Sequence, residues 1–322
     1  MNYRNVNDLS RLITRHAGQI PIDVDLVVGI PRSGMLVASL VSLKLNLPLT
    51  DLYSFLRNDD IKRGDTRQYK HAQLIKPLEA RKILLVDDSI ASGKSMARAA
   101  AQVNELFHGS VCTLVAFAER HNTQAVDMYL ELVEQPRVFE WNIMHHHYIS
   151  HACVDIDGVL CVDPVPPDAD DGPNYQQLLA NASPLFIPSI KASRLVTTRF
   201  ERYRSDTEAW LQRHGVEYDS LHMFPDVPED QRRQPGAKIR FKARIYREDP
   251  HCVLFIESEE THASGIMQLA DKPVFCIENN EMYVPGASFG AFKAQAMRKS
   301  RSFVRKCSER LASLWTGRSS IG

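Results

Sequence analysis

The chain has no excess of charge of either sign. Its 39 Lys and Arg residues balance 39 Asp and Glu residues, so the formal net charge is +0 at pH 7. Without a global field of one sign, nothing in the charge favours a nucleic-acid partner. No apolar run reaches the ~18 residues that span a bilayer. The start, MNYRNVNDLSRLITRHAG, is polar and is typical of an amphipathic helix rather than a secretory signal.

Cysteine patterns typical of disulfides or metal sites are also missing. The six cysteines are scattered without a C-x-x-C pair, and most lie in apolar runs such as VCTLVAF and HCVLFIE. This usage predicts small buried thiols in a reducing compartment. We therefore expect a cytoplasmic protein.

What the sequence does contain is an alternation of short apolar runs with helical patterns, which is typical of α/β folds with parallel sheets. In the first half, strands are predicted over 25–30, 82–88 and 111–119. A second series begins near residue 149 with HACVDIDGVL, RLVTTR, HCVLFIES and KPVFCIEN. The chain length suits two domains, and we place them at 1–148 and 149–322.

A pair of acids and a loop of small residues follow the second of these strands, in ILLVDDSIASGKSM (83–96). Backbone N–H groups of such a loop, at the start of a helix, can cradle a phosphate monoester. The carboxylates of Asp87 and Asp88 can accept hydrogen bonds from a vicinal diol. Phosphate and diol together describe ribose 5-phosphate. Hydroxyl donors are added by Ser89, Ser92 and Ser95.

Two other interpretations of this stretch are open. The letters SGKS look like the end of a P-loop, G-x-x-x-x-G-K-[ST], but that pattern needs Gly where this chain has Asp88. The stretch could also be an ordinary strand, turn and helix without a ligand.

The stretch resembles the phosphoribosyl pyrophosphate (PRPP) motif of type I phosphoribosyltransferases. By that resemblance, Asp87 and Asp88 hold the ribose 2- and 3-hydroxyls, and 89–95 hold the 5-phosphate. A second element, VVGIPRSG (27–34), resembles the pyrophosphate loop of the same family. The PRPP contacts implied are Arg32, Ser33, Gly34, Asp87, Asp88, Ser89, Ala91, Ser92, Gly93, Lys94 and Ser95.

The same resemblance implies a flexible lid and a hood. The lid is the long basic loop 56–73, since loops of this length are functional or disordered. The hood (118–148) would hold the acceptor, with Glu119, Arg120 and Trp141 as candidate contacts. The run 145–147 is three histidines, which on a strand would point to opposite faces and share no metal. Lid cations that could neutralise pyrophosphate, or simply be solvated, are Arg57, Lys62, Arg63, Arg67 and Lys70.

The family mechanism needs mainly positioning and charge stabilisation. Magnesium-bound pyrophosphate leaves C1 of ribose, and a nucleophile captures the oxocarbenium-like centre. Mg²⁺ is therefore the expected cofactor, and members of the family are often dimers.

The second series of strands opens with CVDIDGVL (153–160). It resembles motif I of haloacid dehalogenase-like (HAD) phosphatases, D-x-D-G-x-L. The resemblance implies that Asp155 is the nucleophile that forms an aspartyl phosphate. Asp157 would protonate the leaving oxygen and then activate water. Mg²⁺ would be bound by Asp155, Asp157 and Glu257.

Two further HAD motifs follow in order. RLVTTR (194–199) would end a strand in Thr197, which binds phosphoryl oxygens, with Thr198 as the alternative. FKARIYRE (241–248) offers Lys242 as the cation over the phosphate, with Lys238 as the alternative.

The last HAD motif, CVLFIESEETHASGI (252–266), departs from the family pattern. Glu257 is the expected metal-side acid, but Ser258 stands where the family has Asp. Glu259 or Glu260 could take its place, and a non-catalytic relic is a further alternative.

Only 39 residues separate Asp157 from Thr197, which leaves no room for a large cap. HAD enzymes with little or no cap tend to accept bulky or polymeric substrates. The predicted fold is therefore a type I phosphoribosyltransferase domain followed by a HAD-like Rossmannoid phosphatase domain.

The last stretch, 288–322, is basic with apolar residues at near-helical spacing. It could be a helix on an anionic membrane surface or assembly machinery, or a terminal helix packed on the second domain.

The two predicted activities together would transfer a bare ribofuranosyl group from PRPP. If the acceptor were a nucleobase, the product would be a nucleotide, and a phosphatase would remove the phosphate that salvage serves to keep. If the acceptor were a glycan, removal of the phosphate would complete the ribofuranose residue. The fusion resembles systems that install ribofuranose in bacterial surface polysaccharides, so the expected partners are PRPP and a glycan or other small acceptor. The alternatives are nucleobase phosphoribosyl transfer coupled to a nucleotide 5-phosphatase, and a non-catalytic PRPP or nucleotide sensor.

Overall fold

The computed structural model describes residues 1–64, 68, 70–71, 73–163, 173–228, 231 and 234–286. Arg67 of the predicted lid and the predicted terminal helix over 288–322 lie outside the described residues. Within the described part of the chain, no helix is long and apolar enough to cross a membrane.

The first sheet has five parallel strands, in the order β3-β2-β4-β5-β6. The runs β2 and β4 are hydrophobic and almost wholly buried, as expected for strands covered by helices on both faces. The three strands predicted in this half are confirmed to within two residues. The strands are β2 (Leu26–Gly29), β3 (Leu49–Asp51), β4 (Lys82–Ser89), β5 (Ser110–Ala118) and β6 (Met128–Leu132).

Helices join these strands. The predicted N-terminal amphipathic helix is confirmed as α1, which begins after Asn5 in a capping box: Asp8 N–H donates to Asn5 Oδ1 at 2.8 Å, and Asn5 N–H to Asp8 Oδ2 at 3.2 Å. The helices of this half are α1 (Val6–His16), α2 (Gly34–Leu45), α3 (Leu52–Leu56) and α4 (Lys94–Leu106). α3 takes up the beginning of the stretch predicted as a lid.

The second sheet has six strands, in the order β10-β9-β8-β11-β12-β13, parallel except for the last pair. The strands are β8 (Ala152–Val154), β9 (Ala192–Phe200), β10 (Tyr218–Phe224), β11 (Leu254–Glu257), β12 (Val274–Cys276) and β13 (Glu281–Tyr283). The helices are α5 (Pro173–Asn181), α6 (Arg204–Arg213), α7 (Ala237–Glu248) and α8 (Glu260–Ala270).

One strand end differs from the sequence prediction. β9 does not end at Thr197 but runs on to Phe200. It continues because β10 shifts its register between His222 and Phe224, which lets Phe224 pair with Phe200. Thr197 is therefore a fully buried residue inside the strand.

Strand order reverses once in each sheet. In the first sheet, the chain passes from β2 outward to β3 and then returns to the other side of β2 for β4, β5 and β6. In the second sheet, it passes from β8 outward to β9 and β10 and then returns to the other side of β8 for β11, β12 and β13. Ligands of open α/β sheets bind in the crevice that such a reversal opens at the carboxyl ends. The two crevices lie between β2 and β4 and between β8 and β11.

The segment that joins the sheets (137–151, the joining segment) packs against both. Its strand β7 (Arg137–Phe139) pairs in parallel with β1 (Asn2–Arg4), and two 3-10 helices follow, Glu140–His145 and His147–His151. Side chains alternate along β7, so Val138 joins the core of the second sheet and Phe139 that of the first.

The histidine run (145–147) was treated as part of a strand in the prediction, but it does not form one. Its residues are divided between the two 3-10 helices because His146 caps the second, with its ring Nδ1 accepting from Tyr148 N–H at 3.4 Å. The ring of His146 packs on His147, with centroids 4.2 Å apart, whereas His145 contacts Ser189. Burial lowers the pKa of His146 to about 4, so its ring is neutral.

The alternation in β7 can be tested with two neighbouring substitutions. Phe139→Ala should destabilise the first sheet by about 3–5 kcal/mol, and Val138→Ala the second by about 1.5–3 kcal/mol. Hydrogen exchange followed by mass spectrometry would compare protection of β4 with that of β8. Each variant is the control for the other, and equal loss of protection in both sheets would contradict the division.

Candidate functional site

At the crevice of the first sheet, Gly34 lets the start of α2 approach β4 closely. A Cβ on Gly34 would lie 2.7 Å from the Val86 carbonyl oxygen and 2.9 Å from Asp87 Cα, so only glycine lets α2 begin against β4. The loop that leads from β2 to α2 contains a cis Pro31–Arg32 peptide. Ser33, at its end, is linked to Asp88 through the Asn142 amide.

Asp87 and Asp88 lie at this crevice, as predicted. Asp88 is 6% exposed, and its backbone N–H donates to Asp87 Oδ1 at 2.9 Å. Burial, and next the Asp88 carboxylate, raise the pKa of Asp87 to about 7. Burial also raises the pKa of Asp88, against the hydrogen bond from Trp141. The pair therefore tends to keep a proton in the absence of a ligand or cation.

Two side chains of the joining segment reach these acids. Trp141 Nε1–H donates to Asp88 Oδ2 at 2.7 Å, and the indole stacks on Phe139 with an interplanar angle of 5°. The Asn142 amide donates to Asp88 Oδ2 at 3.4 Å and to Ser33 Oγ at 3.2 Å, so it bridges the two loops of the crevice. The sequence analysis gave Trp141 only as an acceptor contact and did not find Asn142.

The phosphate loop predicted over 89–95 lies between β4 and α4. Its carbonyls are fixed from one side: Asn122 Nδ2 donates to the Ile90 and Ala91 oxygens at 3.2 and 2.7 Å, and Arg137 Nη2 to the Ile90 oxygen at 2.7 Å. In a trans peptide the N–H points away from the carbonyl. The N–H groups that follow these two carbonyls, those of Ala91 and Ser92, therefore point to the opposite side of the loop.

The end of this loop is set by Gly93, which caps α4 with φ of 74°. The helix begins at Lys94, so Lys94 and Ser95 of the predicted phosphate loop lie in its first turn. An anion at this helix N-terminus would meet the N–H groups of that turn, of which Lys94 N–H donates weakly to Ser92 Oγ at 3.5 Å.

Two of the described cations of the predicted lid are engaged outside the crevice. Arg57 pairs with Asp59 at 2.7 Å, and Lys70 Nζ donates to the Ile22 carbonyl at 3.3 Å.

Glu119 and Arg120, predicted as acceptor contacts, lie beyond β5. Glu119 is buried and pairs with Arg137 at 3.2 Å. With His121 and Glu134 it forms a group whose ligand atoms lie within 4.8 Å of one another and could hold a cation. Arg137 already supplies a positive charge there.

The crevice of the second sheet is built around a buried lysine. Lys242 Nζ, on α7, donates to Asp155 Oδ2 at 2.6 Å and to the Glu257 oxygens at 2.8 and 3.1 Å. All three residues are at most 3% exposed. The predicted nucleophile, metal-side acid and cation are thus brought together.

The pKa values of the two carboxyl groups in this triad are shifted in opposite directions. Burial opposes ionisation of Glu257, but Lys242 outweighs it and lowers the pKa of Glu257 to about 2. Burial raises the pKa of Asp155 well above its usual value, and Glu257 adds to the effect against Lys242. One buried ammonium is therefore not enough to hold both carboxylates fully ionised.

Asp157 points to a different cation, which the sequence analysis missed. The Arg199 guanidinium, on β9 and 1% exposed, donates from Nη2 to Asp157 Oδ1 at 2.6 Å and from Nε to both oxygens at 3.1 Å. Arg199 Nη2 also lies 3.1 Å from Cys161 Sγ. The RLVTTR motif contained this arginine, but nothing in the sequence showed that it faces Asp157.

The turn after Asp157 needs glycine. Gly158 has φ of 71°, and a Cβ there would lie 2.5 Å from Ser258 Cβ and 2.9 Å from Asp163 Oδ2. Ser258 therefore packs directly on the motif I turn.

The remaining predicted residues divide between this crevice and its rim. Thr197 is buried, and its Oγ1 accepts from Arg199 N–H at 3.1 Å. Glu259 and Glu260 begin α8, and the Glu259 side chain is 57% exposed, so Glu257 is the acid that faces Asp155. His262, not identified from the sequence, lies 3.6 Å from Glu257 Oε1 through Nδ1.

The three carboxylates predicted to hold Mg²⁺ are engaged by buried cations, and in the described part of the chain they do not form a group whose ligand atoms all lie within 4.8 Å of one another. Asp155, Asp157 and Glu257 bring three carboxylates against two cations, Lys242 and Arg199. Carboxylate oxygens are ligands that Mg²⁺ prefers, and a cation would relieve the raised pKa of Asp155.

Asp87→Asn should change how stability depends on pH. Between the ordinary pKa of 3.8 and about 7, the unfolded wild type ionises while the folded one keeps its proton, so the wild type loses stability as pH rises and levels off above that range. The variant's advantage should grow over this window to about 4 kcal/mol at most. Urea unfolding at several pH values would measure it.

The control for this experiment is Asp219→Asn, an exposed acid paired with Lys191. This variant removes a surface carboxylate without changing the crevice. A flat difference for Asp87→Asn would contradict the raised pKa.

Arg199→Met should destabilise the fold by about 3 kcal/mol, because it leaves the Asp157 carboxylate without its buried partner. Adding Asp157→Asn should recover most of the loss, since no charge is then left unpaired. Denaturant unfolding of the two single variants and the double variant measures the coupling. Additive effects would argue against the pair.

Comparisons with known proteins bear on the first half. Residues 2–148 match the family model of the phosphoribosyl transferase domain. No match was found among curated proteins.

Some solved structures are similar to part of this chain at low identity. One is a purine phosphoribosyltransferase from Pyrococcus horikoshii Ot3, with 21% identity over 44% of this chain and 92% of that chain and a TM-score of 0.33. Another is the xanthine-guanine-hypoxanthine phosphoribosyltransferase of Helicobacter pylori, with 17% identity over 44% and 92% of the two chains and a TM-score of 0.32. The match to the family model over residues 2–148, together with the α/β fold and parallel sheet of that part, supports an enzyme that transfers a phosphoribosyl group.

Proposed function

We propose that the chain is a bifunctional enzyme of two domains, 1–148 and 149–322. The first transfers 5-phosphoribosyl from PRPP to a glycan acceptor, and the second removes the 5-phosphate to leave a ribofuranosyl residue. The observation that carries the proposal is that each crevice at a strand reversal holds the groups its step requires.

The first crevice supports transfer through its paired acids and its loop. Asp87 and Asp88 bind the ribose diol, and the N–H groups of 91–95 bind the 5-phosphate. Arg32 and Ser33 face the pyrophosphate from the opposite loop. The acceptor oxygen forms a bond to C1 as the C1–pyrophosphate bond breaks; pyrophosphate leaves with the electron pair, and the hydroxyl proton passes to solvent.

Raised pKa values in Asp87 and Asp88 suit this role. Diol hydroxyls that donate to a carboxylate favour its charged form, so ligand binding would offset the cost of burying two adjacent acids. Trp141 and Asn142 keep Asp88 in one orientation for that contact.

The second crevice supports phosphate removal by a HAD-type mechanism. Asp155 attacks phosphorus and the bond to the ribose 5-oxygen breaks, with Asp157 supplying the proton to that oxygen. Water activated by Asp157 then releases phosphate from Asp155. Lys242 and Thr197 hold phosphoryl charge, and Arg199 orients Asp157. Mg²⁺ held by Asp155, Asp157 and Glu257 would supply further charge neutralisation at the phosphoryl oxygens.

A glycan acceptor follows from the order of the two steps. Salvage of a nucleobase serves to keep the 5-phosphate, so a coupled phosphatase would reverse it. Ribofuranose in a polysaccharide carries no 5-phosphate, and the interval between Asp157 and Thr197 contributes only α5 from its described residues. In the HAD enzymes that this half resembles, a small cap goes with bulky or polymeric substrates.

Transfer to a nucleobase is the second candidate. The flat indole of Trp141, stacked with Phe139 beside Asp88, would suit a planar base. Acceptor identity therefore has to be measured directly.

The deciding experiment separates the two steps in the full chain. Asp155→Asn, incubated with PRPP, Mg²⁺ and a panel of oligosaccharides and nucleobases, should accumulate a phosphoribosyl adduct visible by mass spectrometry. The wild type should convert the same adduct to the ribosyl form, because only it can form the aspartyl phosphate.

Two controls define the outcome. Asp219→Asn should behave as wild type, and Asp87→Asn combined with Asp88→Asn should give no adduct. Adducts on nucleobases alone would favour the second candidate. PRPP binding without turnover by any protein would contradict both and favour a sensor.

A further inference from the structure

A cavity of about 410 Å³ lies where the joining segment meets the second sheet. One wall is formed by Glu140, Trp141 and His145 of the joining segment. The other is formed by Phe186, Phe275 and Asn280. The volume is within the range of small-molecule sites, and no step described above uses this cavity.

The cavity adjoins the first crevice through a shared side chain. Trp141, which lines the cavity, donates its indole N–H to Asp88 Oδ2 at 2.7 Å. Phe139 covers one face of the indole, with ring centroids 5.2 Å apart. A molecule in the cavity would contact Trp141, the side chain that also binds the carboxylate proposed to hold the ribose.

The far wall is held in place by the N-terminal strand. The Tyr3 hydroxyl donates to the Asn280 carbonyl at 2.7 Å, and its ring lies 5.6 Å from that of Phe275. Burial raises the pKa of Tyr3, so the hydroxyl keeps the proton that it donates. Both halves of the chain therefore contribute fixed residues to one cavity.

The lining chemistry suits a sugar. The partly exposed ring of Phe186 offers an apolar surface to the C–H groups of a pyranose, Trp141 and the buried Phe275 line the inner wall, and Glu140, His145 and Asn280 offer donors and acceptors for its hydroxyls. Glu140 has already one oxygen engaged by Val6 N–H at 2.7 Å, which fixes its orientation. Phe186 is 46% exposed, so it marks the mouth of the cavity, where a longer glycan could extend into solvent.

We propose that this cavity binds the terminal sugar of the glycan that receives the ribofuranosyl group. The inference rests on the proposed transferase function and adds to it the place of the acceptor. It also offers a reason why the two halves lie in one chain, because residues of the second half complete the acceptor site of the first.

Phe186→Ala tests the site with little risk to the fold, because the side chain is largely exposed. Leu185→Ala is the matched control: Leu185 is 43% exposed, adjoins Phe186 and does not line the cavity. The backbone N–H of Leu185 donates to the Leu160 oxygen, and that of Phe186 donates to the Val159 oxygen. Alanine keeps both of these hydrogen bonds.

The measurement is direct binding to the full chain by saturation-transfer NMR. The probes are methyl pyranosides of D-galactose, D-glucose, D-mannose and N-acetyl-D-glucosamine, with adenine and orotate for comparison. We expect at least one glycoside to bind the wild type and Leu185→Ala equally. Phe186→Ala should weaken that binding about tenfold, as the loss of an aromatic contact would, and leave PRPP binding unchanged.

The outcomes separate this inference from the proposed function. No glycoside bound by the wild type, or equal binding by both variants, overturns the cavity as the acceptor site even if transfer to a glycan is observed. Glycoside binding that depends on Phe186, without any transfer by Asp155→Asn, keeps the sugar site and contradicts the proposed function. Binding of adenine or orotate that depends on Phe186 also overturns the sugar assignment.

Discussion

Each sheet reverses its strand order once, and the groups that could do chemistry lie where it does so. Parallel strands all present their carboxyl ends at one edge, but neighbouring loops there are covered by the helices that follow them, except at the reversal. Gly29 and Ser89 end the strands that flank the first crevice, and Val154 and Glu257 those that flank the second. The topology alone therefore brings residues from distant parts of the chain to within hydrogen-bonding distance.

The two crevices solve the same electrostatic problem in different ways. The first holds adjacent carboxylates whose neighbours are neutral donors, Trp141 and Asn142, and the result is a raised pKa for Asp87. In the second, Lys242 and Arg199 are buried with the acids and pair with them directly. A diol ligand supplies hydroxyl donors and suits the first arrangement. A phosphate monoester brings negative charge and suits the second, where cations are already fixed.

Local sequence was sufficient for the three strands predicted in the first half and for the acids near the ends of buried strands. Buried apolar runs ending in Asp87-Asp88 and in Asp155 identified both crevices because a strand end is a local feature. Pairings across the fold could not be derived in this way. Arg199 lies 42 residues from Asp157 and Trp141 lies 53 from Asp88, and only packing shows that they meet. The end of β9 was missed for a related reason, since a register shift in β10 sets it.

The alternating side chains of β7 bear on whether either half could exist as an isolated fragment. A cut after residue 148 would leave Val138, Ile143 and Met144 on the first fragment, although they belong to the core of the second sheet. That fragment would present an apolar stripe to water, and such stripes associate with one another or with chaperones. Either sheet could therefore be replaced by a homologous one only if the residues of β7 that pack on it changed as well. We expect the two halves of the chain to change together for this reason.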